Sequence, residues 1–430
     1  MVSAPITSEA AKADYAPYRP VQYLGSKMRV LNEIRAAVAE LVAPNAQVVD
    51  LFTGSTVVAQ ALASDGYKVT AIDTQAYAEI FGTALLGVHR VAGENLTLEG
   101  LNEHFDRKMA TPEYAQWTSA MVREDEAIAT QDISALRDLY EGLPLSWKRP
   151  DTASNTSPMT SVYAGSYFGV RQTLSLDILH SLCAELAGNQ QLSLWQRAAS
   201  KTALMHAASV AVHSAGKHFA QPFKTTSENT RFLDGRLLSD RREDIIVRFL
   251  EGCQSVSSTP FYSQDEHRSL KGAAENIVSD IGAQQLYYLD PPYTAQQYSR
   301  FYHFLETLAD DGVPKLPANT PITTGLYPEN RYKSAFSARS KAPKAFASLM
   351  GKIAAQGASA IISYSASSAG SDGNARMVSL SELQEICVGA FGKSRVECQT
   401  MDHRYRQFNS TGNSNSKRDD KEVLILCKSV

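Results

Sequence analysis

The chain has 430 residues, 43% of them hydrophobic and 20% charged, with a net charge of −3 at pH 7. That is ordinary for a globular protein large enough for a substantial core and a sizeable insertion or second domain, and the near-neutral balance neither demands nor excludes nucleic acid, because basic groups can gather on one face. No apolar run long enough to span a bilayer and no signal peptide is found, and Cys183, Cys253, Cys387, Cys398 and Cys427 are odd in number without C-x-x-C spacing, which predicts reduced, mostly buried thiols of a cytoplasmic protein and no metal site.

In chain order, residues 1–16 are small and polar and predict a flexible N-terminal arm. Arg19 to Lys27 then leads into apolar residues at helical spacing, Leu31, Ile34, Val38 and Leu41. Gln47 to Leu62 reads as strand, tight turn and helix, with Gly54 and Ser55 in the turn, where small residues allow a ligand close to the backbone. Tyr67 to Asp73 reads as a second strand ending in an acid, placed about 20 residues beyond the first turn, where nucleotide-binding α/β folds hold ribose hydroxyls. A plain dinucleotide-binding fold competes with that reading, but the turn lacks G-x-G-x-x-G.

Roughly 200 residues follow before the next clear strand, far more than a crossover needs. Glu99 to Tyr140 and Thr173 to Ala215 carry helical spacing, and Asp151 to Pro158 reads as a loop. Two stretches have side chains suited to a splayed nucleic-acid strand, by stacking and phosphate contact. Ser161 to Gly169 interleaves aromatics with glycines, and His213 to Pro222 brings Lys217 and His218 to a helix end. The competing readings are a packing turn for the first and a capped helix C-terminus for the second. Arg231, Arg236, Arg241, Arg242 and Arg248 read as a solvated or phosphate-facing set.

Leu286-Tyr287-Tyr288-Leu289 predicts a buried strand, stopped by Asp290-Pro291-Pro292-Tyr293 because proline cannot continue a ladder. A carboxylate, fixed carbonyls and an aromatic ring thus stand at the carboxyl end of a strand, where open α/β sheets place ligands. Tyr298, Arg300, His303 and Glu306 follow, the last two one helical turn apart, as a structural pair. Phe336 to Pro343, with Arg339 and Lys341, reads as a basic loop suited to phosphate, Ala358 to Ser365 as a core strand, and segments around Glu397 and Val423 to Cys427 as an antiparallel pair. Arg404 to Lys421 reads as a polar loop for which DNA contact and solvation fit equally.

Asp290-Pro291-Pro292-Tyr293 resembles the catalytic tetrapeptide of the amino-methylating DNA methyltransferases, whose aspartate form goes mainly with adenine N6. Asp50, Phe52 and Gly54 are similar to the cofactor loop Asp-x-Phe-x-Gly-x-Gly of the same enzymes, with Thr56 in place of the second glycine. Tyr23, Gly25, Ser26 and Lys27 resemble their aromatic-x-Gly-Gly/Ser-Lys stretch, and Tyr298 to Thr307 their Tyr-His-x-Leu-Glu-Thr tail. A Gly-Asp-Ala-like turn is replaced by Gly272-Ala273-Ala274, with Glu275 as the nearby acid. The blocks occur in the order of the family members that place target recognition in the middle.

The resemblance implies an α/β fold: a Rossmann-like S-adenosylmethionine-dependent methyltransferase sheet formed by residues 17–95 and 265–430, with a large, mostly helical DNA-recognition insertion at 96–264. It implies Asp290, Pro291, Pro292 and Tyr293 as catalytic. Tyr23, Gly25, Ser26, Lys27, Asp50, Phe52, Gly54, Ser55 and Asp73 would bind S-adenosylmethionine. Tyr298, Arg300, Lys217, His218, Arg339 and Lys341 would contact double-stranded DNA with the target adenine flipped out. A bacterial or phage origin is expected, and a restriction or defence partner is not readable from the sequence. Thr56 is expected to oppose the positive φ that glycine adopts easily. An RNA adenine methyltransferase, a glutamine-modifying Asn-Pro-Pro-Tyr enzyme and a degenerate DNA-binding module are the alternatives; Asp290 argues against the second and the intact tetrapeptide against the third.

Overall fold

A computed structural model describes residues 15–98, 100–145, 157–223, 231–260, 262, 266–317, 323, 325–365, 375–404 and 421–429. Most of the expected N-terminal arm, the loop at 151–156 and the polar stretch at 405–420 lie outside the described residues.

Alternating side chains on continuous apolar strands demand cover on both faces, and a seven-stranded sheet meets that demand. Its strands are β1 (Gln47–Asp50), β2 (Lys68–Asp73), β3 (Arg268–Lys271), β4 (Leu286–Leu289), β5 (Ser359–Ser365), β6 (Val396–Arg404) and β7 (Lys421–Cys427). Their order is β3-β2-β1-β4-β5-β7-β6, and β7 runs against both of its neighbours. The expected antiparallel pair is therefore present, with β7 inserted inside the sheet and β6 on its edge. Strand β3 had no counterpart in the sequence reading.

Val48 and Tyr288 point into one apolar layer with α1 (Leu31–Leu41) and α2 (Val57–Ser64). Their neighbours Val49 and Tyr287 point into the opposite layer, against helices Ala342–Ala355 and Leu380–Phe391. Period-two alternation thus builds an α/β/α sandwich. Chain order reverses at β1, which pairs with β2 on one side and β4 on the other. At such a switch point the loops after two adjacent strands diverge and leave a crevice.

The middle of the chain is helical, with long helices at Thr118–Thr130, Val170–Gly188, Leu194–Ala211 and Ile245–Ser257. It packs onto the sheet domain through one continuous core in which Tyr77 and Phe81 of α3 (Ala76–Leu85) meet Trp195, Leu204, Phe249 and Phe304. Four of the five cysteines are buried and all five are free. Among the described residues no helix is long and apolar enough to cross a membrane.

Candidate active site

At the switch point, Asp50 ends β1 and Asp290 follows β4, and the ladder continues past Asp50 through Leu51 N–H donating to Tyr288 O at 3.0 Å. Two concavities open beside these acids. The larger, about 680 Å³ with its open mouth, is lined by Tyr23, Phe52, Asp73, Glu275, Asp290, Tyr298 and Phe336 among others. The smaller, about 300 Å³, is lined by Tyr23, Gly25, Ser26, Lys27, Asp50, Ser55, Tyr288 and Asp290. Tyr23, Phe52 and Asp290 are common to both, so the two form one bent cleft.

The turn after β1 is fixed by charge and by shape. Asp73 accepts from Gly54 N–H and Gln75 N–H, each at 3.0 Å, so the acid ending β2 ties down the loop after β1. Gly54 has φ +49° and lies under the Tyr23 ring, where a Cβ would come within 2.7 Å of three ring-end atoms. Tyr23 is backed by Tyr302, nearly parallel at 8° with centroids 4.6 Å apart. Thr56 corrects an expectation: it does adopt positive φ, at 64°. Its hydroxyl accepts from Gln60 Nε2 at 3.0 Å, and Gln60 also holds Tyr15 and Tyr18. The local strain of a left-handed β-branched residue is thus carried by a buried bond network, and Thr56 takes a positive φ of the kind that glycine adopts easily.

The acids are strongly perturbed. Burial pushes Asp50 up to about 7, with the Asp290 charge adding to it, and burial pushes Asp73 up to about 6. Asp290 is likewise desolvated to about 6, although the Lys27 ammonium opposes the rise. Lys27 is buried, and its Nζ lies 3.1 Å from Asp290 Oδ1 and 3.1 Å from Glu422 Oε1. Burial works against its charge, but the two carboxylates overcome this and hold it protonated. Tyr293 is packed edge-on to Tyr364 at 5.6 Å, with the Arg376 guanidinium 4.7 Å from its centroid.

All the cofactor-side and catalytic residues named from the sequence meet around this cleft, apart from some that shape rather than line it: Gly54 lies beneath Tyr23, and Pro291 and Tyr293 flank the lining residues Asp290 and Pro292. Glu275, the nearby acid of the altered turn, is on the wall. The sequence reading missed Glu422, Tyr302, Tyr332 and Phe336, the last an edge-on partner of Phe52 at 5.2 Å inside a loop read as polar. A lone aromatic in a polar run and an acid heading an apolar strand were the available signals.

The residues expected at DNA divide into two groups. Tyr298 lines the cleft with its hydroxyl donating to Leu24 O at 3.3 Å, and Arg300, half-buried, lies over Phe301. Arg339 and Lys341 are exposed and follow the lining residues Ser334 and Phe336 by a few positions in the chain. Lys217, in contrast, donates to Val210 O, Val212 O and Asp240 Oδ1 at 2.7, 3.0 and 2.7 Å, which is the helix-capping arrangement. His218 packs edge-on against Phe301, and burial together with the Arg300 charge pushes its pKa down to about 4, leaving it neutral. Tyr163, Tyr167 and Phe168 are fully buried, so that segment is core. Arg241 is buried too, donating to Tyr140 Oη and Ser166 O at 2.9 Å each, while Arg248 pairs with Glu243 and Glu251. His303 and Glu306 are structural but serve different partners. His303 bonds Phe219 O, and Glu306 accepts from Ala76 and Tyr77 N–H at the start of α3.

Residues 23–140 match the family described as D12 class N6 adenine-specific DNA methyltransferase. Over that stretch the chain is similar to the adenine-N6 DNA methyltransferases. It is also 31% identical over 166 residues to Modification methylase LlaI of Lactococcus lactis subsp. lactis, an alignment covering 38% of this chain and 24% of that protein. The chain therefore spans about a quarter of the length of this relative. The matched stretch holds the Tyr23 to Lys27 turn, the Gly54 loop and Asp73, and the Asp290 tetrapeptide stands beside them, after the neighbouring strand β4.

Proposed function

We propose that this chain transfers a methyl group from S-adenosylmethionine to the N6 amine of adenine in DNA, taking the base flipped out of the duplex. The observation that carries the proposal is the placement of Asp290-Pro291-Pro292-Tyr293 at the switch point, on the wall of a cleft whose other wall is the Gly54 loop.

The cleft suits the methyl donor on several counts. Ser26 Oγ and Tyr288 Oη are buried, find no hydrogen-bond partner among the described residues and flank the smaller concavity, as a polar amino-acid end would require. Phe52, Leu51 and Phe336 offer an apolar slot for a purine. The Asp73 carboxylate, with two N–H groups bound, keeps acceptor sites for ribose hydroxyls. The concentration of acids favours a cation. When bound, S-adenosylmethionine supplies an electrophilic methyl group.

The chain's own contribution is to make adenine's amine a better nucleophile. The amine lone pair is delocalised into the ring. The Asp290 carboxylate and the Pro291 carbonyl would each accept one N6 hydrogen, drawing the nitrogen toward tetrahedral geometry and localising its pair. Fixed acceptors aimed at an amine that becomes cationic stabilise the transition state electrostatically. Tyr293 would stack on the base, and Tyr298, Arg300, Arg339 and Lys341 would hold the strand around it, with backbone contacts that position rather than specify. Because an unstacked adenine is the reacting species, extrusion from the duplex is part of the proposal. The likeness to a modification methylase favours a role beside a restriction nuclease.

The experiment is a substrate panel. Protein and methyl-labelled S-adenosylmethionine are incubated with unmethylated bacterial DNA, total RNA and a protein extract, followed by nucleoside and amino-acid analysis. Label in N6-methyladenine from DNA supports the proposal. Label confined to RNA or protein transfers it to the alternatives, and cofactor binding without any transfer supports a binding module.

A further inference from the structure

One buried charge beside the tetrapeptide is not accounted for by the reaction as described. Glu422, the second residue of β7, is 5% exposed although the strand from Val423 to Cys427 is apolar. Carboxylates are almost never buried to this extent unless paired. Its partner is Lys27, 395 residues away in sequence, at 3.1 Å. The same ammonium lies 3.1 Å from Asp290 Oδ1. Strand β7 is antiparallel, so its first residues reach the edge where β1 and β4 end, and Glu422 pairs in register with Ser365 at the end of β5.

We propose that Glu422 is a positioning residue for Asp290, acting through Lys27 to share the ammonium's charge and so keep Asp290 a strong, oriented acceptor. This rests on the methyl-transfer role assigned to Asp290 above. Lys27 and the amine compete for one carboxylate. An ammonium paired with Asp290 alone would donate its hydrogens and its full charge to the group that must accept the amine's hydrogens. A second carboxylate on the same Nζ draws the ammonium back and weakens that drain. Lys27 engages Asp290 through Oδ1, which leaves Oδ2 as an acceptor. The pairing also holds Lys27 in one place, since both ends of its reach are fixed by strands of the sheet.

Asp290 is faced by Lys27 and by the carboxylate of Glu422, and Asp50 at the end of β1 is near enough for the Asp290 charge to raise it. The phenols of Tyr288 and Tyr293 face Lys27. Removing Glu422's charge deletes one carboxylate that raises Asp290 and gives Asp290 a larger share of Lys27. Both effects lower the pKa of Asp290.

Protein labelled with ¹³C at the aspartate carboxyl carbons allows Asp290 to be titrated directly, its resonance assigned by its loss in Asp290→Asn. Glu422→Gln should move the Asp290 midpoint down by about one unit, and Lys27→Met should move it up by about one unit or more. The acid limb of single-turnover methyl transfer should move in the same directions. A merely structural role for Glu422 would lower the folded fraction and leave the midpoint where it was. An Asp290 midpoint unmoved or raised in Glu422→Gln overturns the proposal. If that variant does not fold, an unmoved midpoint in Lys27→Met does the same. The titration needs no methyl acceptor, so midpoints that move as expected in a protein that methylates no DNA would sustain the positioning role while refuting the methyl-transfer reading.

Discussion

Replacing Gly54 with alanine tests whether the cleft is built as described. A Cβ at this position lies 2.7 Å from Cε1, Cζ and Oη of Tyr23, whereas carbon contacts are optimal near 3.5–4.0 Å, so the ring must retreat by about 1 Å. Behind it stands Tyr302, stacked at 4.6 Å, and a retreat breaks that stack. Two costs follow and are read separately. Alanine in left-handed backbone costs about 1–2 kcal/mol, which appears as lost global stability in a denaturant titration. The disturbed stack is worth about 0.5–1.5 kcal/mol, and because Tyr23 lines both concavities this acts on the ligand. Calorimetric titration with S-adenosylmethionine should therefore show binding weakened about threefold to tenfold. In a Tyr23→Ala background Gly54→Ala should add almost nothing to that loss, while the stability loss persists. Affinity unchanged by Gly54→Ala, or weakened equally in both backgrounds, would refute the placement of Tyr23 over the loop.

Thr56→Gly should leave S-adenosylmethionine affinity within about twofold and stability within about 1 kcal/mol, because relief of the left-handed strain is offset by loss of the bond to Gln60; tighter binding by tenfold would mean that Thr56 distorts the loop. The folded-state pKa values of Asp50 and Asp290, about 7 and about 6, lie above their ordinary value of 3.8. Between pH 4 and pH 7 these two groups therefore hold more protons in the folded protein than in the unfolded chain, and their contribution to stability falls as pH rises through that window, opposite in sign to that of the buried histidines His213, His218, His267 and His303. Asp50→Asn removes its share, so in thermal melts the change of Tm from pH 5 to pH 8 should be shifted upward relative to the unaltered protein. Lys217→Met should destabilise the fold by on the order of 1–3 kcal/mol, since Asp240 and two carbonyls lose their donor, without altering the salt dependence of DNA binding. Arg339→Gln combined with Lys341→Gln should do the reverse, leaving the melt in place and reducing the slope of log affinity against log salt by about one to two.

The parts of this molecule legible in its sequence are those governed by local rules. Strand β4 and its abrupt end at Pro291, the Gly54 turn, and the acid closing β2 each follow from a few adjacent residues, and their order along the chain brought the cleft into view. What escaped depends on contacts between distant segments. Arg241 looked solvated beside Arg242 because both sit in a polar run, and only the approach of Tyr140 and Ser166 buries it. Lys217 and His218 resembled a nucleic-acid patch because local sequence cannot show Asp240 and Phe301 behind them. Thr56 looked incompatible with the loop because the propensity argument omitted Gln60, one helical turn later, as its partner. Glu422 was hidden by strand direction: the start of an antiparallel strand meets the ends of parallel ones, which becomes plain once the sheet order is known.

The central claim is that Asp290 acts on the amine rather than on the methyl donor or on folding. Single-turnover transfer to a DNA duplex carrying the target adenine, measured for the unaltered protein and Asp290→Ala alongside S-adenosylmethionine affinity for both, tests it most directly. N6-methyladenine formation should be abolished in the variant while affinity for S-adenosylmethionine remains within about tenfold. Transfer that survives the substitution, or that disappears only together with cofactor binding, would contradict the claim.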